Sequence, residues 1–336
     1  MKNTIAVLLC IILSAGCFAS CGKQEAGKPE SGKKDGSGKL SIVTTIFPEY
    51  DWVRQILGEK AGETDLTMLL DSGVDLHSYQ PSAADIVKIS SCDLFIYVGG
   101  ESDGWVKDAL AEASNKDMAV INLLETLGEN VREEEIKEGM QAEEESGEEE
   151  EEEPEYDEHV WLSLKNAVIL CRAIYEKLCV IDPGNTGIYR ANTESYIKKL
   201  NDLDAQYKAA VDSAENKTLV FGDRFPFRYL AEDYGIDYYA AFAGCSAESE
   251  ASFETIVFLA KKLDEMNLNY VMQIESADGR LSQSVIDASS DKGRGILTLD
   301  SMQSATSADV EDGANYYDIM QGNLIVLKTA LDNTAQ

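Results

Sequence analysis

Residues 185–214, NTGIYRANTESYIKKLNDLDAQYKAAVDSA, carry a long helical pattern that organises the rest of the chain. Apolar and aromatic side chains recur there at spacings of 7, 4, 3, 4 and 3 residues, which places them on one stripe of a helix. These side chains are Tyr189, Tyr196, Leu200, Leu203, Tyr207 and Ala210. At 1.5 Å per residue such a helix spans roughly 40 Å, which is long enough to join two lobes.

Strand-like and helix-like segments alternate on both sides of this helix. The strand patterns lie at 40–45, 66–70, 94–98, 120–123, 218–221, 236–241, 270–274 and 296–299. The helical patterns lie at 52–57, 106–113, 165–182, 253–263 and 316–331. Alternation of this kind is typical of parallel sheets covered by helices. The sequence therefore predicts two α/β lobes, residues 40–184 and 215–336, joined by a single long helix at 185–214.

The charge of the chain is strongly acidic and partly local. The 336 residues have a formal net charge of −32, and the segment 133–158 contains 15 Glu, one Asp and one Lys. This balance excludes nucleic acid as a partner, because binding phosphates requires Lys and Arg. A run of Glu repels itself and cannot bury apolar area, so we expect an acidic, mobile loop at about 133–156.

The N-terminus has the pattern of an export signal. A short basic start precedes an apolar run at 5–13, and small residues then lead to Cys17 and Cys21. The run is too short for an ordinary membrane-spanning helix, which favours a cleaved signal peptide over an uncleaved anchor. We predict a lipoprotein signal at 1–21, lipidation at Cys21 with Cys17 as the rival, and a flexible tether at 22–39.

The remaining cysteines show no metal-binding or redox spacing. Cys92, Cys171, Cys179 and Cys245 form no CxxC pair, so neither a zinc knuckle nor a thioredoxin-like site is indicated. We expect these four residues to be small core side chains.

Only two histidines occur in the chain, and their settings are alike. His77 lies in a loop that follows a predicted strand, and His159 lies where the fold resumes after the acidic segment. Ligand sites in α/β sheets cluster at such strand ends. A single histidine is more often packed or solvated than a ligand, but two in similar loops favour a metal site.

Three segments resemble motifs of ZnuA/TroA-like proteins, the zinc- and manganese-binding solute-binding proteins of ABC importers. They are HSYQP at 77–81, DEHVWL at 157–162 and YDIMQGNL at 317–324, and the similarity extends from about 42 to 331. The segment around His159 is the most specific. Zinc-binding members often carry an acidic and His-rich insertion before it, whereas here the insertion has no histidine until His159.

The resemblance implies one metal ion in the cleft, with two ligands from each lobe. The first two ligands map to His77 and His159, and the fourth maps to Asp300. The third position departs from the family, because no histidine follows the strand at 218–221 and Asp223 is the candidate there. Asp223 could instead pair with Arg224 or Arg228. The third ligand would then be water or one of Glu248, Glu250 and Glu275.

The resemblance further implies a monomeric carrier on the outer face of the membrane, held there by its lipid. It would capture Zn²⁺ or Mn²⁺ and pass the ion to an ABC permease with its ATPase. A metal-dependent hydrolase is the main alternative, although the chain has no HExxH, GxSxG or phosphate-binding glycine loop. A surface adhesin or a cation buffer that uses the Glu-rich segment is the other. Steady turnover would indicate the hydrolase, and tight stoichiometric binding the carrier.

Overall fold

The computed structural model describes residues 38–141, 155–246 and 250–332. The predicted signal peptide, the lipidation candidates Cys21 and Cys17, and the tether up to residue 37 lie outside the described residues. So do residues 142–154 of the acidic segment and the alternative ligand Glu248.

The first lobe is a parallel four-stranded sheet covered by helices. Its strands are β1 (Ser41–Thr44), β2 (Asp65–Met68), β3 (Leu94–Tyr97) and β4 (Ala119–Asn122). Its helices are α1 (Phe47–Leu57), α2 (Ala83–Ser91), α3 (Val106–Ala111), α4 (Leu123–Leu127) and α5 (Leu164–Ile181). Short 3₁₀ turns lie at Gly58–Glu63, Leu76–Ser78, Gly128–Asn130, Val160–Leu162 and Pro183–Asn185. The strand order is β2-β1-β3-β4, so the direction of strand addition reverses between β1 and β3.

The long helix α6 (Thr186–Ser213) follows, as its apolar stripe predicts. Five of the six stripe residues are buried, and Val211 rather than Ala210 completes the buried face. Its 28 residues span about 42 Å at 1.5 Å per residue. Within the described part of the chain, no helix is both long enough and apolar enough to cross a bilayer.

The second lobe repeats the plan of the first. Its strands are β5 (Thr218–Arg224), β6 (Asp237–Phe242), β7 (Tyr270–Ile274) and β8 (Gly295–Leu299), all parallel in the order β6-β5-β7-β8. Its helices are α7 (Arg228–Tyr234), α8 (Phe253–Glu265), α9 (Arg280–Ala288), α10 (Ser307–Glu311) and α11 (Tyr316–Asp332). The prediction of two parallel α/β lobes joined by one long helix is therefore confirmed.

The C-terminal helix α11 packs on β8 and β5 of the second lobe and also contacts α1 of the first lobe. The Tyr316 backbone N–H donates to Asp51 Oδ2 at 3.0 Å, and the rings of Tyr316 and Trp52 lie 5.2 Å apart. One continuous apolar core thus joins the first lobe, α6, α11 and one face of the second sheet. Wide separation of the lobes would expose this core to water, which disfavours a large hinge motion.

The described ends of the acidic segment differ from the mobile loop that composition predicts. Glu133 and Tyr156 form an antiparallel bridge, and the Gln141 N–H donates to the Ala241 carbonyl at 2.9 Å. Glu135 accepts a hydrogen bond from Tyr238 at 3.1 Å. Residues 133–141 therefore run along the second lobe, because individual side chains find partners there that the net charge of the segment does not reveal.

Candidate metal centre

His77 is held in the 3₁₀ turn that follows β2. The Asp75 side chain caps this turn and accepts from the His77 N–H at 3.0 Å. The other oxygen of Asp75 forms an ion pair with Arg224, which stands at the end of β5 in the second lobe. Although burial opposes it, this pairing holds the pKa of Asp75 below its usual value. The turn that carries His77 is thus tied directly to the second lobe.

His159 lies at the start of the turn Val160–Leu162 and is fully buried. Asp157 Oδ1 accepts from the His159 N–H at 2.9 Å and lies 3.0 Å from His159 Nδ1. The Trp161 ring is 5.3 Å from the imidazole, and Trp161 Nε1 donates to the Ser301 carbonyl of the second lobe. A carboxylate on one ring nitrogen fixes the imidazole orientation, as the outer partners of metal-binding histidines do.

The two imidazoles face each other through their Nε2 atoms, which lie 3.2 Å apart. Ser102 Oγ lies 2.8 Å from His77 Nδ1, while Asp157 holds Nδ1 of His159. With protons assigned to both Nδ1 atoms, two Nε2 lone pairs converge on one point. Burial, with His159 beside it, lowers the pKa of His77 to about 3, so the imidazole is neutral at neutral pH. Two imidazole nitrogens at this separation are suited to bind one cation together.

Cys245 is the third potential ligand at this point, and the prediction that it is a core residue is wrong. Among the described residues, His77, His159 and Cys245 form a group whose ligand atoms all lie within 4.8 Å of one another. Cys245 is half-buried and follows β6, so the strand-end argument used for the histidines applies to it as well. Cys92 and Cys171 are buried as predicted, whereas Cys179 is half-buried.

The position of Cys245 is set by its neighbours. Its N–H donates to Glu134 Oε1 at 2.8 Å, so a residue near the start of the acidic segment holds the Cys245 backbone in place. A Cβ on the preceding Gly244 would lie 3.2 Å from His159 Nδ1 and 2.9 Å from the Phe225 carbonyl oxygen. Only glycine lets this backbone approach the imidazole so closely. Burial raises the pKa of the Cys245 thiol, so the thiol is protonated when no cation is bound.

The Asp223 carboxylate is used by the backbone and is not in this group. Its two oxygens accept from the N–H groups of Ile274, at 3.1 Å, and of Arg224, at 2.9 Å. The register of β5 shifts between Phe221 and Arg224, and such an irregularity re-aims the side chains at a strand end. The guanidinium groups of Arg224 and Arg228 form ion pairs with Asp75 and with Glu232, the latter at 3.3 Å. Arg224 therefore acts on Asp223 through its backbone N–H and its charge, and not through an ion pair.

Asp300 directly follows β8, at the edge of the second sheet where strand-end ligands are expected. It is half-buried, and its Oδ1 accepts from the Met302 N–H at 2.8 Å. Met302 has a φ of 63°, a left-handed conformation that is uncommon for a residue other than glycine. Burial, together with the nearby Glu275 carboxylate, raises the pKa of Asp300 to about 6. Asp300 likewise lies outside the group of three.

The alternative third ligands have other roles or are not described. Glu275 accepts from the Ser301 N–H at 2.7 Å and from the Gln303 N–H at 3.2 Å, so it shapes the loop that carries Asp300. Glu250 lines a cavity of about 700 Å³ next to His77. Like Asp223 and Asp300, neither residue offers an oxygen within 4.8 Å of all three ligand atoms of the group.

Three buried carboxyl groups lie behind the histidines in the first lobe. Glu158 Oε2 is 3.5 Å from His77 Nδ1 and makes no hydrogen bond. Burial raises the pKa of Asp103 to about 7, and Glu158 adds to the effect. Burial likewise raises the pKa of Glu49 to about 8, and Asp103 adds to it. Repulsion between neighbouring carboxylates is therefore relieved by binding protons.

Glu49→Gln is expected to reduce the loss of stability of the metal-free protein at rising pH. Folded Glu49 keeps a proton that the unfolded chain releases near pH 4.5, so its contribution is lost as pH rises from there to about 8. The slope from this one group is at most about 1.4 kcal/mol per pH unit. Glutamine keeps the oxygen that accepts from Thr45 and Ile46. Urea denaturation at about pH 5 and about pH 8 measures the change in unfolding free energy of each protein with pH. An equal change in the variant and the wild type would contradict the prediction.

Two parallel α/β lobes on one long helix, with converging imidazoles between their strand ends, define a metal-binding protein of the solute-binding class. Residues 42–330 match the family described as "ZnuA: Zinc-uptake complex component A periplasmic", and the chain belongs to this family.

Two relatives and one solved structure with zinc-related names are similar to this chain. "High-affinity zinc uptake system protein ZnuA" of Bacillus subtilis (strain 168) is 30% identical over 326 residues, covering 96% of this chain and 97% of that protein. "Zinc-binding lipoprotein AdcA" of Streptococcus pneumoniae (strain ATCC BAA-255 / R6) is 31% identical over 309 residues, or 90% of this chain. The chain covers only 58% of the length of that relative. The Zn(II)-bound ZnuA-like domain of Streptococcus pneumoniae AdcA superposes with a TM-score of 0.67 at 28% identity, over 88% of this chain and 100% of that one.

Proposed function

We propose that this protein binds one Zn²⁺ or Mn²⁺ ion between its lobes and delivers it to an ABC-type importer. The observation that carries the proposal is the convergence of His77 Nε2 and His159 Nε2 at 3.2 Å. An oxygen lies within hydrogen-bond distance of the second nitrogen of each ring, as is usual for histidines that bind a metal. The printed names of the relatives, which describe zinc binding and zinc uptake, support the same cargo.

The ligand set we propose includes His77 and His159 from the first lobe and Asp300 from the second. A cation near Asp300 would lower the cost of ionising its buried carboxyl group. Asp223 was the candidate for the third ligand in the sequence-based prediction, but both of its oxygens already accept backbone hydrogen bonds. We therefore assign Asp223 to the shape of the strand end and not to the metal.

Binding and release, without chemical turnover, is the mechanism that this site supports. The ion pair of Asp75 and Arg224 joins the lobes beside the histidines, and Asp75 also caps the turn of His77. Breaking this ion pair would loosen the turn and the metal together. We propose that contact with a permease does so, which would couple docking to release.

The sequence and the names of the relatives support an extracytoplasmic location and a lipid anchor. We propose that Cys21 carries a lipid that holds the protein on the outer face of the membrane. A permease and its ATPase would then receive the ion at that surface. The streptococcal relative is described as a lipoprotein, which supports the anchor.

Competition between metals tests the carrier function. We expect the purified full chain to bind one ion, and Zn²⁺ to displace Mn²⁺, because nitrogen and mixed sites favour Zn²⁺ in the usual affinity order. The measurement is elemental analysis after gel filtration at equal free metal concentrations. Displacement of Zn²⁺ by Mn²⁺ would reverse the proposed preference, and lack of any bound metal would contradict the function.

Deletion of residues 143–153 is expected to leave the tight site intact. This stretch contains nine Glu, one Ser and one Gly, and among the described residues those that surround the histidines lie in other parts of the chain. Glu134, which anchors Cys245, is retained in the deletion. Calorimetry should show one tight ion with less weak, salt-sensitive binding. Glu134→Ala is the matched comparison and should weaken the tight site. Loss of the tight site in the deletion would mean that the segment supplies ligands.

A further inference from the structure

We propose that the Cys245 thiolate is the third metal ligand of this protein, which makes the centre a site for a thiophilic ion such as Zn²⁺. The inference rests on the proposed function, because it concerns the same cleft. It replaces the carboxylate of Asp223 with sulfur from a different strand end. The ligand atoms of Cys245, His77 and His159 lie within 4.8 Å of one another.

The separations within this group fit a metal site that closes on its ion. Zn–N bonds are about 2.0–2.1 Å and the Zn–S bond about 2.3 Å, so ligand atoms around a tetrahedral ion lie about 3.3–3.7 Å apart. The two Nε2 atoms are at 3.2 Å already. A small movement of the Cys245 side chain would therefore complete a three-ligand set, and its thiol proton would pass to solvent as the Zn–S bond forms.

The surroundings of Cys245 place its backbone firmly in the cleft. Glu134 accepts from its N–H, and Gly244 permits close approach to the His159 ring. The end of β5 offers no good third ligand. Arg224 brings a positive charge there, and the Asp223 carboxylate accepts backbone hydrogen bonds. Sulfur thus fills the third position that β5 does not supply.

Sulfur changes which ion the site prefers. Thiolate is a soft ligand that suits Zn²⁺, whereas Mn²⁺ suits carboxylate, carbonyl and water oxygens. A centre of two imidazoles, one thiolate and Asp300 therefore discriminates against Mn²⁺ more strongly than a centre of two imidazoles and two carboxylates. Cys245→Ser should weaken Zn²⁺ binding by at least about 100-fold, the upper end of the loss seen for outer partners of ligands. Mn²⁺ binding should change less.

Cobalt spectroscopy of the full chain separates this proposal from the carrier function. Co²⁺ bound to a thiolate gives an intense charge-transfer band in the near ultraviolet, which nitrogen and oxygen ligands do not give. We expect the band in the wild-type protein and in Cys179→Ser, a control at the other half-buried cysteine. We expect Cys245→Ser to lose the band and still bind one Co²⁺ weakly. Calorimetry then gives the Zn²⁺ and Mn²⁺ affinities of the same three proteins.

The possible outcomes are distinct. A wild-type protein that binds one Co²⁺ without the band overturns the role of Cys245 and leaves the carrier function standing. Unchanged Zn²⁺ affinity in Cys245→Ser would likewise overturn the role of Cys245 and leave the carrier function standing. A wild-type protein that binds neither Co²⁺ nor Zn²⁺ overturns the carrier function and this inference together. Because the band is read in the unmodified chain, the test does not depend on the variant folding.

Discussion

Tight metal binding is expected to be lost in the double variant His77→Ala/His159→Ala. The sequence has two histidines, whose Nε2 atoms face each other, so no other imidazole can replace them. Loss of even an outer partner of a ligand weakens metal binding about 10–100-fold, so loss of two direct ligands should weaken it by at least about 10⁴-fold. Isothermal titration with Zn²⁺ should show no tight site. Each single variant should retain weakened binding.

The control for this experiment is the fold of the variant. His159 is fully buried, so truncation leaves a cavity, and circular dichroism must show that the structure is retained. Asp157→Asn is a milder comparison that keeps both ligands but weakens the acceptor on His159 Nδ1. Asp157→Asn should weaken Zn²⁺ binding by about 10–100-fold. One ion bound by the double variant at wild-type affinity would place the site elsewhere in the chain.

The architecture was accessible from the sequence because it depends on periodicity. The apolar stripe of α6 follows the helical repeat over 28 residues, and the buried parallel strands stand out as short apolar runs. The contact of α11 with the first lobe was not predicted. It depends on contacts such as the one between Trp52 and Tyr316, which are 264 residues apart and share no local pattern.

The centre was only partly accessible from the sequence. His77 and His159 could be paired because each stands in a loop with a recognisable motif, and the structure brings their Nε2 atoms together. Asp223 was expected at the same point, but the register shift at the end of β5 turns its carboxylate to the Ile274 N–H. Cys245 was assigned to the core because a single cysteine has no spacing to interpret. A side-chain direction at an irregular strand end is set by tertiary contacts and not by residue type.

The acidic segment illustrates a similar limit of composition. Its charge predicts solvation, and this is a property of the whole run. Glu134 and Glu135 nevertheless make specific hydrogen bonds with Cys245 and Tyr238 on the second lobe. Charge counting treats every Glu in the segment alike, whereas Glu134 and Glu135 each have a specific partner on the second lobe.

Trp161→Ala is expected to cause a large loss of stability and to weaken metal binding as well. The indole is fully buried, and its Nε1 donates to the Ser301 carbonyl at 2.9 Å, next to Asp300. The Trp161 carbonyl accepts from the Tyr316 hydroxyl at 2.6 Å, so this one residue connects both lobes and α11. Truncation of a buried tryptophan to alanine costs about 3–5 kcal/mol of unfolding free energy. Urea denaturation of the metal-free protein measures this loss.

Trp161→Phe separates the packing of the indole from its hydrogen bond. Phenylalanine keeps most of the apolar volume but leaves the buried Ser301 carbonyl without its donor, which costs about 1–3 kcal/mol. Because the ring also lies 5.3 Å from His159, the alanine variant should bind Zn²⁺ more weakly even where it is fully folded. Phenylalanine should preserve most of that affinity. Equal stability of the alanine variant and the wild type would mean that the lobes do not depend on this contact. Equal Zn²⁺ affinity with reduced stability would mean that Trp161 supports the fold alone, and that Asp157 suffices to hold the imidazole in place.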